Sequence, residues 1–117
     1  MIKYKVIMPD RIQGMPEIKK GLEKVVKGEL ERAIDRYGKN HSRHEGYAVM
    51  REEYDEMMEG RFDPIQIWRA VKKNERGPEL ERILKTQRAE LMHSVAEAVQ
   101  VIAMLDKMIM FEEENME

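Results

Sequence analysis

Glu53 and Glu56 stand three residues apart in the stretch HEGYAVMREEYDE, positions 44–56. On a helix that spacing makes their side chains neighbours. Two carboxylates so placed are half of a site for a hard divalent cation. Magnesium takes oxygen ligands, often one or two carboxylates together with substrate phosphates. An acidic helix face is also what ordinary solvated surface looks like, so a second donor pair is needed to separate the two readings. It comes in HSVAEAVQVIAM, positions 93–104, where Glu97 and Gln100 repeat the three-residue step. Glu97 lies beside an apolar stripe rather than opposite it, and a carboxylate there is unfavourable without a partner. That partner is either a cation or a Lys or Arg, with Gln100 then making an ordinary hydrogen bond. Facing each other across a bundle, the two pairs would set three carboxylates and an amide oxygen around one cavity.

The chain must build helices to position these residues. Around the first pair, the apolar Tyr47, Met50, Tyr54 and Met57 recur at steps of three and four, which is one helical face. Glu45, Glu52, Glu53 and Glu56 gather on the opposite side, with Val49 among them. Ser42 and Glu45 make a capping box, so an acidic helix is predicted over about residues 42–59, ended or bent at Gly60. Upstream, Ile18, Leu22, Val25, Val26, Leu30, Ala33, Ile34 and Tyr37 form the stripe of a helix from Pro16 to Tyr37, with Gly38 as its stop. Asp63 and Pro64 open a third helix as N-cap and N1. It carries Ile65, Ile67, Trp68 and Val71 and closes on Lys72 and Lys73, with a turn at 74–77.

No breaker interrupts residues 78–111. Leu80, Leu84, Leu91, Val95, Ala98, Ile102, Leu105 and Ile109 hold a near-heptad stripe, broken only at Gln87 or Arg88. Such a helix is on the order of 50 Å long. That is long for so small a domain, so a bend near residues 85–88 and packing against a partner chain are both expected. Residues 2–8 alternate as a short strand would, with Ile2, Tyr4, Val6 and Met8 on one side. One strand cannot stand alone, so residues 1–15 are read as an extended arm that pairs with another subunit or lies loose. Residues 112–117 read as a frayed acidic tail. The expectation is one all-α domain over residues 1–117, an antiparallel helical bundle with a short N-terminal arm.

The totals agree with that class. The 117 residues fit a single domain, and 38% are charged, in a Glu-, Lys-, Arg-, Leu- and Met-rich composition that suits helices. Eleven methionines suit irregular core gaps and adaptable interfaces, which makes self-association plausible. A net charge of −2 argues against stable nucleic-acid binding by bulk charge. The absence of cysteine removes disulfides, thiolate zinc sites and cysteine nucleophiles, and fits a reducing cytoplasm. No apolar run is long enough for a transmembrane helix. The opening MIKYKVIMP is too short and too interrupted by lysine for a signal peptide.

The segments HEGYAV (44–49), EEYDE (52–56) and EAVQVIAM (97–104), in this order, resemble the MazG-like all-α nucleoside triphosphate pyrophosphohydrolases. The likeness is closest to the small stand-alone members common in phages and bacteria, and it covers roughly residues 30–111. The resemblance implies a homodimer or homotetramer, a magnesium or manganese cofactor, and conversion of (d)NTP to (d)NMP and pyrophosphate. Relatives of this type suggest deoxypurine triphosphates. Carried over residue by residue, Glu53 and Glu56 match the first ligand pair of the family pattern EExxE, and Glu97 matches the first acid of ExxD. Glu52 matches the leading Glu, as helper or base. Gln100 falls where that pattern has Asp; an amide coordinates through oxygen but brings no charge, which would weaken one metal or shift its burden to Glu45 or Glu52. The chain also departs from the family in the longer gap between its two motifs, where residues 60–70 look inserted.

The residue types suit that chemistry. Hydrolysis between the α- and β-phosphates needs clustered negative charge neutralised and an attacking water activated, and a spare carboxylate orients or deprotonates that water. Lys72, Lys73 and Asn74 are placed to contact phosphates, or are simply a basic helix end favoured by the dipole. Tyr47, Trp68 and Tyr54 would stack on a base or pack in the core. His44 and His93 are either neighbours of the site or structural. Other classes remain. A carboxylate-bridged di-iron bundle needs Glu-x-x-His on two helices, and only Glu90 with His93 has that spacing. A non-catalytic adaptor would use the basic stretch 69–76, and a chain of the same fold with Gln100 in place of Asp would bind nucleotides without hydrolysing them.

Overall fold

The computed structural model describes residues 4–73 and 77–116, and every regular element among them is helical. After a 3-10 turn at Asp10–Ile12 come α1 (Pro16–Tyr37), α2 (Arg43–Met58), α3 (Pro64–Lys72) and α4 (Pro78–Glu114). Local chemistry sets the boundaries. Pro16 occupies the first turn of α1, where its missing N–H is no loss. The helix ends at Gly38, whose φ of 77° is a conformation that side chains disfavour. Ser42 Oγ accepts from Glu45 N at 3.1 Å and opens α2. Asp63 Oδ1 accepts from Ile65 N at 2.9 Å and opens α3.

α1 and α2 each pack on α4 but not on one another. Arg43 pairs with Glu112 at one end of α2, and Gly60 lies against Ser94 just past the other, so α2 and α4 run in opposite directions. Lys39 pairs with Glu114, and Leu30 packs on Ala103 and Met104, so α1 follows α4 in the same sense. α4 is thus the floor of a groove whose walls are α1 and α2. The core beneath the groove is small: Leu30, Ala103 and Met104, joined by Tyr4, Ala33, Ile34, Val49, Met50 and Met110.

Several expectations change. No strand occurs among the described residues 4–15. The arm lies instead against α4, with Val6 buried and Tyr4 Oη donating to Asp106 Oδ1 at 3.3 Å. Residues 112–114 are not frayed; α4 continues to Glu114 because Glu112 and Glu114 are held by Arg43 and Lys39. α4 runs without interruption through residues 85–88. The gap in its stripe has a different use: Gln87 is buried, and its Oε1 accepts from Asp63 N at 2.7 Å, anchoring the start of α3. In α2, Met50 and Met57 face inward, while Tyr47 and Tyr54 are exposed and Val49 joins the core. The inward face of α2 is therefore turned toward its acidic side. Ile18, Val25 and Tyr37 of the α1 stripe are also exposed.

The long stripe of α4 faces away from its own chain. Leu84, Leu91, Val95, Ile102, Leu105 and Ile109 keep 38–55% exposure. The shape reflects this: the radius of gyration is 18.2 Å, against about 13 Å for a compact domain of this length. Accessible surface is 9206 Å², roughly 2,500 Å² above the expectation for a folded monomer of this mass.

Candidate metal centre

Glu53 and Glu56 on α2 and Glu97 on α4 converge in the groove, with one carboxylate oxygen from each lying within 4.8 Å of the others. The helical step places the first two side by side, and the opposed run of α2 and α4 brings Glu97 across from them. Glu53 and Glu97 are half-buried, whereas Glu56 is exposed. Glu53 Oε2 and Glu97 Oε2 are sealed from solvent without a hydrogen-bond partner. Such atoms ordinarily find partners, because an unpaired buried oxygen forfeits its hydration for nothing. Burial, followed by the charges of Glu56, Glu97, Glu52 and Glu29, pushes the Glu53 carboxyl above its ordinary value. Like charges held together in this way are relieved by a proton or a cation.

Other predicted residues fall at different distances from this point. Glu52 is exposed beside Glu53 and contributes to its repulsion. Gln100 is half-buried one turn beyond Glu97. Glu45 accepts from His41 Nδ1 at 3.1 Å and sits about 12 Å along α2 from Glu53, outside the cluster. His93 Nε2 lies 3.8 Å from Glu97 Oε1 with its side chain 61% exposed, so it is a neighbour of the site rather than a core histidine. An open cleft lined by Gly60, Arg61, Glu90 and His93 begins one turn from Glu97. The metal-capable cluster among the described residues contains no histidine, so the Glu90–His93 pair gives the di-iron reading no second support.

The proposed substrate contacts do not join the cluster within one chain. Lys73 lines a separate cleft with Arg69, Glu79 and Ile83, and Ile83 is about 20 Å before Glu97 along α4. Lys72 stacks over Trp68 at 5.9 Å from the ring centroid, and Trp68 is 59% exposed. Asn74 lies outside the described residues. Tyr47 faces outward, where its Oη accepts from Arg51 Nη1 at 3.4 Å. The physical reason is the fold of α3, which docks on the opening half of α4 while the carboxylates sit further along it.

Glu29 was missed. It reaches the field of Glu53 from α1, where it also pairs with Arg32. Its signal was present: positions 22, 26, 29 and 33 keep the same four-three-four step, so Glu29 occupies a stripe position of α1 as Glu97 flanks that of α4. The donor set is the carboxylates of α2 and α4, hard oxygens suited to Mg2+ or Mn2+, with Glu29 of α1 adding its charge to the surroundings. No family model, no curated protein and no solved structure matches this chain.

Proposed function

We propose that the chain is a metal-dependent nucleoside triphosphate pyrophosphohydrolase of the MazG-like kind, converting (d)NTP to (d)NMP and pyrophosphate. The observation that carries this reading is the meeting of Glu53, Glu56 and Glu97, two of which hold a buried oxygen without a hydrogen-bond partner. These residues fit Mg2+ or Mn2+, with the Gln100 amide as a further oxygen donor. When bound, the ion supplies charge neutralisation for the phosphates and a lower pKa for a coordinated water.

The rest falls to the protein's own side chains. Glu53, Glu56 and Glu97 fix the charge at one point of the groove. Glu52, exposed at its rim, takes the proton of the attacking water. Arg61 and His93, which line the adjoining cleft, offer N–H donors to the departing pyrophosphate. The working unit is an oligomer, at least a dimer, in which a second copy covers the α4 stripe. The excess surface of the single chain is of the size that obligate dimers bury. The setting is the cytoplasm, and free nucleotides rather than nucleic acids are the substrates.

The reaction is tested by product analysis of each (d)NTP with magnesium or manganese. Monophosphate and pyrophosphate are expected. Diphosphate and orthophosphate would place the cleaved bond elsewhere. Metal-dependent binding without turnover would make the chain a nucleotide-binding protein of the same fold, the reading that the uncharged Gln100 favours.

A further inference from the structure

Two opposite charges stand in the apolar stripe of α4, and neither has a partner on its own helix. Arg88 comes four residues after Leu84 and three before Leu91. Asp106 comes four after Ile102 and three before Ile109. Side chains on a helix meet at steps of three and four, and at those steps neither residue has an opposite charge. Arg88 is exposed and pairs with no carboxylate among the described residues, although Arg82 and Lys85 on the same helix are both paired. Asp106 is 6% exposed. Tyr4 Oη donates to its Oδ1, and its Oδ2 is buried without a hydrogen-bond partner. A buried carboxylate oxygen left in this way ordinarily has a donor.

The stripe itself supplies one. From Leu84 to Ile109 it keeps alternating steps of four and three, the pattern of a coiled-coil seam. Turned end for end, it falls on itself: Leu84 meets Ile109, Leu91 meets Ile102 and Val95 meets Ala98. Arg88 then arrives between Ile102 and Ile109 of the other copy, within about 2 Å of the level of Asp106. Arg88 and Asp106 are 18 residues apart, which is about five whole turns, so they share one direction from the axis of α4. A twofold axis across the seam therefore puts both on the same flank. A parallel pair would set Arg88 against Arg88 and leave Asp106 unmet. We propose that α4 pairs antiparallel with α4 of a second copy, about a twofold axis near residues 96–97, and that Arg88 of each copy donates to the Asp106 carboxylate of the other. This rests on the dimer of the proposed enzyme and gives it an orientation and a register. It does not rest on the reaction, because the stripe faces away from the groove that holds the carboxylate cluster. A standard interface takes about 800 Å² from each partner, well within the roughly 2,500 Å² of surplus surface on one chain.

The chain has no cysteine, so cross-linking can read the register directly. Leu91→Cys and Ile102→Cys are compared singly and together on non-reducing gels after mild oxidation. Both residues are exposed in the single chain, and about 16 Å of helix separates them, too far for a bond within one copy. The double variant is expected to become a covalent dimer, and each single variant to stay at the mass of one chain. Single variants that link as readily as the double overturn the antiparallel register, and so does a double variant that fails to link. A double-mutant cycle tests the charge pair. Arg88→Met and Asp106→Asn are each expected to weaken dimerisation about tenfold or more in sedimentation equilibrium, and the two together no further. Additive losses would mean that the two charges do not meet. A monomeric wild type overturns the pairing even where it hydrolyses nucleotides. A cross-linked dimer without turnover keeps the pairing, and the enzyme reading falls alone.

Discussion

Glu53 concentrates the physics of the site. Its carboxyl is raised by burial and by four neighbouring acids, so the metal-free fold carries a repulsion that a proton or a cation removes. A raised folded-state value means that the stabilising contribution is fully present below the ordinary 4.5 and is lost as pH rises through the elevated value. Chelated protein is therefore expected to melt lower at neutral pH than at mildly acidic pH, as far as this group decides it. Glu53→Gln should melt higher than wild type at neutral pH and show a flatter profile. Magnesium or manganese should raise the melting temperature of wild type but not of Glu53→Gln. Thermal melts across pH, with and without metal, check all three. Glu53, Glu56 and Glu97 were legible in the sequence because helical spacing alone groups them. Glu29 carries only the signal of an α1 stripe position, because its approach to the site depends on packing between helices. The outward placement of Tyr47 and Tyr54 has no signal in the sequence, because their apolar step alone points them inward, where the half-buried Glu53 sits instead.

Among the elements, α4 does most of the organising, and its irregularities have local causes. Gln87 interrupts the stripe to hold the backbone of Asp63. Gln87→Ala leaves that donor without its partner and should cost about 1–3 kcal/mol, read as a lower urea midpoint, with faster amide exchange confined to α3. The arm is tied to α4 through Tyr4 and Asp106. Burial and the Asp106 carboxylate push the Tyr4 hydroxyl up to about 12. The sign is again that of a raised value: the arm's contribution is present below the ordinary 10.0 and is lost as pH rises through about 12. An ultraviolet titration should show one late-ionising tyrosine that disappears in Tyr4→Phe. Helix boundaries were legible because Pro16, Gly38, Ser42, Asp63 and Pro64 are strong start and stop signals. The arm was read as a strand because alternation over a few residues does not distinguish a strand from an extended segment lying on a helix.

At the scale of the whole molecule, one chain leaves a heptad stripe uncovered and a core too small for its surface. Ile102 and Leu105 lie in the C-terminal half of that stripe, each about 40% exposed. Replacing both by aspartate should leave helix content unchanged and convert the protein to monomer in sedimentation equilibrium. An unchanged mass would mean that the stripe is not the covered face. The all-α class was legible from composition and periodicity, while the exposure of the stripe required knowing which face α1 and α2 had already taken. The most direct test of the central claim is turnover of a dNTP panel against added Mg2+ or Mn2+, for wild type, Glu53→Ala and Glu97→Ala, each verified as folded. The expected result is metal-dependent release of monophosphate and pyrophosphate by wild type, reduced by at least about a hundredfold in both variants, as when charge stabilisation at a reacting centre is removed. Variants that turn over at the wild-type rate with the same metal dependence would contradict the account.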